Sequence, residues 1–94
     1  MSADAILVYA SPFCGYCAAA KALLAGKGVA FTEIDVLAEP DKRREMIARS
    51  GRTTVPQVFI GDTHVGGYDE LAALEAGGKL DGLLAIHSSN DNRE

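Results

Sequence analysis

The stretch Ala5-Ile6-Leu7-Val8-Tyr9-Ala10-Ser11-Pro12-Phe13-Cys14-Gly15-Tyr16-Cys17 decides how the rest of the chain is read. Its first half, Ala5 to Tyr9, is a short apolar run of the kind buried in a sheet. Ser11-Pro12-Phe13 breaks it. A helix is expected from about Gly15 to Lys27, with Gly26 and Gly28 as its stop. Cys14 and Cys17 therefore fall at a strand-to-helix junction, one helical turn apart. Unpaired backbone N–H groups and the helix dipole at such a junction favour a thiolate over a thiol. Cys14 is the expected nucleophile. Cys17, further in and more buried, is the expected resolving thiol, which attacks a mixed disulfide and releases the product.

Working outward, Val29 to Val36 reads as a second strand, so strand, helix and strand form a right-handed parallel crossover. A second helix opens near Glu39-Pro40-Asp41, where proline and acidic residues suit a first turn, and stops at Ser50-Gly51. Val58-Phe59-Ile60 and Thr63-His64-Val65 read as a hairpin across a type II′ turn at Gly61-Asp62. Asp69 to Ala76 reads as a third helix, with Leu71 and Leu74 inward, and Leu80 to Ile86 as a fourth. The order βαβ-α-ββα predicts an α/β domain over residues 1–86. Its four-stranded mixed sheet carries helices on both faces, the thioredoxin-like arrangement. Residues 87–94 read as a polar, flexible tail.

The cysteines are only two, and three apart, so they cannot staple distant parts of the chain. A structural zinc site takes four ligands, and His64 and His87 lie in unrelated segments without ligand spacing. No metal site is therefore expected. Nine basic and thirteen acidic side chains give a formal net charge of −4, which argues against nucleic acid or an anionic membrane as partner. The one basic run, Lys42-Arg43-Arg44, reads as a solvated helix face. No apolar stretch approaches the ~18 residues of a membrane span. Met1 to Tyr9 lacks the features of a secretory signal. A cytoplasmic, reducing compartment follows as the expectation, and there a CxxC pair is a redox pair rather than a structural disulfide.

Three separated motifs, Tyr9 through Cys17, Arg52-Thr53-Thr54-Val55-Pro56-Gln57 and Gly66-Gly67-Tyr68-Asp69, together resemble the bacterial dithiol glutaredoxins of the glutaredoxin 3 type. The resemblance runs from about Ala5 to Leu84. It implies glutathione-dependent reduction of protein disulfides and of glutathionylated proteins, with glutathione as co-substrate and such proteins as partners. It matches Cys14 to the nucleophile, Cys17 to the resolving cysteine and Tyr16 to a tyrosine lying against bound glutathione. Thr54-Val55-Pro56 matches a segment with a cis proline. The Val55 backbone there would pair with the cysteinyl part of glutathione as a strand adds to a sheet edge. Gly67, Tyr68 and Asp69 match the loop and helix start that hold the γ-glutamyl end. Taken alone, Pro56 also reads as an ordinary strand-start proline and Asp69 as a helix cap.

Three positions depart from the family pattern. Ser11 stands where many relatives carry a lysine for the glycine carboxylate of glutathione. Arg52 is the candidate to replace it, against the reading of a solvated surface arginine. Tyr68 replaces a smaller residue or a cysteine. Gly15 stands where relatives often have proline, and some glutaredoxins without that proline hold a [2Fe–2S] cluster between two chains. That analogy offers a second function, a cluster scaffold or carrier bridged through Cys14 and two glutathione molecules as a homodimer, in place of a monomer. A thioredoxin-type general reductase is the weaker alternative, because Trp is absent and Phe13 precedes Cys14.

Overall fold

A computed structural model describes residues 6–87. The chain runs β1 (Ile6–Ala10), α1 (Gly15–Gly26), β2 (Thr32–Asp35), α2 (Pro40–Ser50), β3 (Gln57–Ile60), β4 (Thr63–Gly66), α3 (Tyr68–Ala76) and α4 (Leu80–His87). The four strands form one sheet in the order β2-β1-β3-β4. β1 pairs parallel with β2 from Leu7↔Thr32 to Ala10↔Asp35, and antiparallel with β3, where Tyr9 faces Gln57. β3 and β4 form the antiparallel hairpin. This is the mixed sheet expected from the sequence.

Strand alternation sorts the core into two layers. Ile6, Val8 and Ala10 of β1 and Val58 and Ile60 of β3 point to one face. There they pack with Cys17, Ala20 and Leu24 of α1, Leu71 of α3, and Leu80 and Leu84 of α4. Tyr9 and Phe59 point to the other face, with Val36, just past β2, and Met46 of α2. Helices thus cover both faces, and the apolar run of β1 is central because it is buried on both sides.

Most element ends fall where the local signals put them. Pro40 opens α2, and Gly51 closes it in the left-handed region at φ 73°. Gly61 carries φ 61° while Asp62 does not take positive φ, as a type II′ turn requires. β2 is shorter than expected. Val29 and Phe31 are half-buried against the α1 layer, but the ladder to β1 begins only at Thr32, so they belong to the approach and not to the strand. His87, expected to open the tail, closes α4. Ala5 and residues 88–94 lie outside the described residues. Among the described residues no helix is long and apolar enough to cross a membrane.

Candidate active site

β1 ends at Ala10, and the chain turns through Ser11-Pro12-Phe13 into α1. Phe13 takes φ 62°, a left-handed conformation unusual for its type, and its ring is fully exposed. Cys14 follows in extended conformation as the N-cap of α1. Its Sγ accepts a hydrogen bond from the Cys17 backbone N–H at 3.1 Å. A cap side chain satisfies one of the orphan N–H groups of a helix start, and here the capping atom is the sulfur itself. Cys14 is half-exposed, and its Sγ lies 4.0 Å from the carbonyl oxygen of Val55.

Cys17 differs in every respect. It is 1% exposed and belongs to the core layer beneath α1. Burial first, then the hydrogen-bonding contact with Cys14, push its thiol from 9.0 up to about 11. The Lys21 charge, one turn on, works weakly the other way, while Lys21 itself pairs with Glu33 at 2.8 Å. Both cysteines are free thiols.

Beside Cys14 opens a cleft of about 230 Å³, lined by Tyr16, Arg52, Thr54, Val55, Pro56, Gly67, Tyr68, Asp69 and Glu70. Every residue the sequence singled out for the glutathione seat lines it, apart from Cys14 at its edge. The Val55–Pro56 bond is cis, so the reading of Pro56 as an ordinary proline is set aside. Tyr68 lies against Tyr16, ring centroids 6.0 Å apart and planes at 29°. The departure at Tyr68 therefore builds a two-ring aromatic wall.

The start of α3 corrects one expectation and adds a residue. Asp69 is not the cap. Gly67 is the N-cap, Asp69 sits one residue inside the helix, and the capping carboxylate is that of Glu70. Glu70 Oε1 accepts the Gly67 N–H at 2.7 Å and meets Arg52 at 3.4 Å. The Gly67 N–H, foremost, and Arg52 hold the Glu70 carboxyl below its usual range. The i, i+3 spacing of Gly67 and Glu70 is that of a capping box, which is where the sequence shows Glu70. Arg52 is thus an exposed arginine that also meets Glu70 at the mouth of the cleft. Arg43, read as part of a solvated run, donates to the Thr53 carbonyl at 3.2 Å and ties α2 to the loop before Val55.

A glutaredoxin family model matches residues 6–65. Over 77 residues the chain is 56% identical to Glutaredoxin 3 of Escherichia coli, covering 82% of this chain and 93% of that one. The chain belongs to the glutaredoxin family. Among solved structures, it is similar to the glutaredoxin of Brucella melitensis, at 60% identity and a TM-score of 0.76, covering 85% of this chain and 87% of that one. It is also similar to a buckwheat glutaredoxin–glutathione complex, at 32% identity and a TM-score of 0.80, covering 86% and 76% respectively. Glutaredoxins are glutathione-dependent thiol–disulfide oxidoreductases. The site places a half-exposed capping thiol, Cys14, one helical turn from a buried one, Cys17.

Proposed function

We propose that Cys14 is the nucleophile of this glutathione-dependent exchange and Cys17 its resolving thiol, acting on glutathione mixed disulfides and on protein disulfides in the cytoplasm. The observation that carries the assignment is the contrast between the two sulfurs. Cys14 is reachable and receives an N–H, whereas Cys17 is enclosed and held protonated at neutral pH.

On a glutathione mixed disulfide, the Cys14 thiolate attacks the glutathione sulfur. The Cys14–sulfur bond forms as the substrate disulfide breaks, and the client leaves as a thiolate that takes a proton. A second glutathione thiolate then attacks the glutathione held on Cys14, giving glutathione disulfide and free Cys14. On a protein disulfide, the Cys14 thiolate forms a mixed disulfide with one client sulfur and releases the other as a thiol; Cys17 then loses its proton and attacks the sulfur of Cys14, breaking that bond. The client leaves as a dithiol, and two glutathione molecules reduce the resulting Cys14–Cys17 disulfide. Two of the causes that hold the Cys17 proton, the hydrogen bond and the charge of Cys14, vanish once Cys14 is bound in a disulfide. Resolution is thereby timed to follow attack.

Glutathione is proposed to lie along the cleft. Its cysteinyl part pairs with the Val55 backbone, Arg52 takes the glycine carboxylate, and the start of α3 with Asp69 takes the γ-glutamyl end. The likeness to the buckwheat complex supports this seat. The test is turnover on a small glutathione mixed disulfide, coupled to glutathione reductase. Cys14→Ser abolishes it, while Cys17→Ser keeps it and loses only dithiol-dependent reduction of protein disulfides. Equal loss of both activities in both variants refutes the roles.

A second reading uses the same accessible sulfur. A [2Fe–2S] cluster takes four thiolates, and each chain offers one accessible thiol, Cys14. Such a cluster therefore requires two chains and two glutathione thiols. A Cβ at Gly15 meets nothing within 4 Å, and Gly15 is the first residue of α1, a position that accepts proline, so Gly15→Pro tests the turn. Anaerobic reconstitution with iron, sulfide and glutathione yields a coloured dimer on this reading, lost in Cys14→Ser, and a colourless monomer against it.

A further inference from the structure

Gln57 is fully buried, the single buried polar side chain among the described residues. A buried amide is costly unless its groups are paired, and this one is paired on both ends. Its Nε2 donates to the Thr54 carbonyl oxygen at 3.1 Å and to the Thr54 hydroxyl at 3.3 Å. Its Oε1 lies 2.7 Å from His64 Nε2. The directions of these bonds are fixed by chemistry. A carbonyl oxygen only accepts, so the amide nitrogen must face Thr54. The amide oxygen, also only an acceptor, then faces His64, which must carry its proton on Nε2. The His64 ring is itself held against Phe59 at 4.8 Å between centroids, and the Arg49 guanidinium lies 4.1 Å from the centroid of the same Phe59 ring.

This chain of donors ends on one particular atom. The Thr54 carbonyl and the Val55 N–H belong to the same peptide unit, which is trans, since the cis bond is the next one. In a trans planar peptide the C=O and N–H point in opposite directions. Drawing the Thr54 oxygen inward to Gln57 therefore turns the Val55 N–H the other way, out of the core. Thr54 and Val55 both line the cleft beside Cys14. Neither Gln57 nor His64 lines it.

We propose that Gln57, oriented by His64, is a positioning residue that aims the Val55 N–H into the cleft as the donor for the disulfide substrate. The inference rests on the reading of the Val55 edge as the glutathione seat. Released from Gln57, the Thr54–Val55 peptide is free to rotate, and the substrate loses a fixed donor while Cys14 keeps its own surroundings.

Gln57→Met preserves length and removes all three hydrogen bonds. The cysteine–glutathione mixed disulfide is the substrate, with glutathione reductase coupling. The expected result is a rise of about tenfold in KM with kcat within twofold. Alkylation of Cys14 by iodoacetamide, which needs no cleft, stays at the wild-type rate. An unchanged KM overturns the proposal, and so does a parallel fall in kcat and alkylation rate, which places the effect on Cys14. If Gln57→Met does not fold, His64→Ala serves. It leaves the amide nitrogen on Thr54 but strips the buried amide oxygen of its partner. It is expected to raise KM about threefold, and an unaltered KM again overturns the proposal. S-methylglutathione, which cannot react, separates the two layers of inference. If it does not shift the Val55 amide resonance in the wild-type protein, the seat itself is wrong. If it does, and KM is unmoved in the variants, only the role of Gln57 falls.

Discussion

The backbone N–H of Cys17 points at the sulfur of Cys14 from 3.1 Å, while the Cys17 thiol turns into the core. One residue thus supplies a donor to its partner and withholds its own sulfur. Iodoacetamide at pH 7.5 is expected to modify one thiol per native chain, Cys14, and both only after unfolding. Mass spectrometry of the alkylated protein checks this. The pH dependence has a definite sign. Cys17 ionises at about 11 when folded, against 9.0 as its ordinary value. Above pH 9 the unfolded chain releases a proton that the folded chain retains, so this contribution to stability is lost as pH rises towards 11. Cys17→Ala removes it, and urea midpoints at pH 8 and 10.5 for the two proteins show the difference.

The aromatic wall gives a second expectation. Tyr16 is 66% exposed, and its stack on Tyr68 is an edge of the cleft, with Tyr68 itself half-buried against the core layer beneath α1. An aromatic pair adds about 0.5–1.5 kcal/mol beyond its burial. Tyr68→Ala is therefore expected to raise KM for glutathione mixed disulfides about two- to tenfold. The thermal midpoint should fall as well, because Tyr68 also packs against the core layer. A loss of stability with unchanged KM would leave Tyr68 a packing residue only.

Charge pairing at the two ends of the cleft is tested by Asp69→Ala and Arg52→Ala. Hydrogen bonds to charged groups contribute about 1.5–3 kcal/mol, and 1.4 kcal/mol is about one factor of ten. Turnover at limiting glutathione is expected to fall about tenfold or more in Asp69→Ala. Arg52→Ala loses its carboxylate contact and also frees Glu70, so its loss should be accompanied by a small fall in stability. Wild-type kinetics in both variants would move the seat elsewhere.

What the sequence shows of this molecule is what adjacent residues determine. The apolar run ending in Ser11-Pro12-Phe13 places Cys14 at a helix start without any knowledge of the tertiary structure. The Pro40 and Gly51 punctuation bounds α2 in the same way. The cleft residues came from three motifs read together, because no one of them is specific alone. The features that stayed hidden depend on partners far apart in the chain. Tyr9 sits under α2, its hydroxyl hydrogen-bonded to Glu45 and accepting from Arg49 at 3.0 Å, 36 and 40 residues away. Nothing near Tyr9 announces either. Gln57 and His64 meet only because the hairpin register brings them together, and Tyr68 reaches Tyr16 only because α3 packs beside α1. Glu70 was readable through its capping spacing, but glycine as the cap residue makes that pattern faint.

Two glycines separate backbone necessity from helix propensity. Gly66 has φ 115°, and a Cβ built on it would stand 2.8 Å from Glu70 Oε1. Gly66→Ala is expected to strain the backbone and displace the carboxylate that caps α3, costing about 1–3 kcal/mol. At about 4–8 °C per kcal/mol for a domain this size, thermal unfolding detects it readily. Gly82 lies exposed within α4, and a Cβ there meets nothing within 4 Å. Gly82→Ala should stabilise by about 0.5–1 kcal/mol through helix propensity. The two alanine variants are expected to move the midpoint in opposite directions, and a shift of the same sign in both would contradict this account of Gly66.

His64 should make the fold sensitive to mild acid. Burial, and then the nearby Arg52 charge, hold the imidazole below its ordinary value of 6.5, with Arg49 acting the same way and Glu70 opposing. The hydrogen bond to Gln57 is not what acid removes, because the Nε2 proton is a donor in the neutral and the charged ring alike. The loss comes from placing a further positive charge in a partly desolvated site beside two arginines. Below pH 6.5 the unfolded chain takes up a proton that the folded chain resists. Stability is therefore full above 6.5 and falls as pH drops through the lower folded value. Glu45 and Glu70 are also shifted, but downward from 4.5, so their contributions fade only in more acid solution. The interval from pH 6.5 to about 5 separates His64 from these carboxylates. Urea midpoints measured across it should fall in the wild-type protein and fall less steeply in His64→Gln, whose side chain carries no charge at any pH. Equal slopes in the two proteins would assign the acid sensitivity to another group.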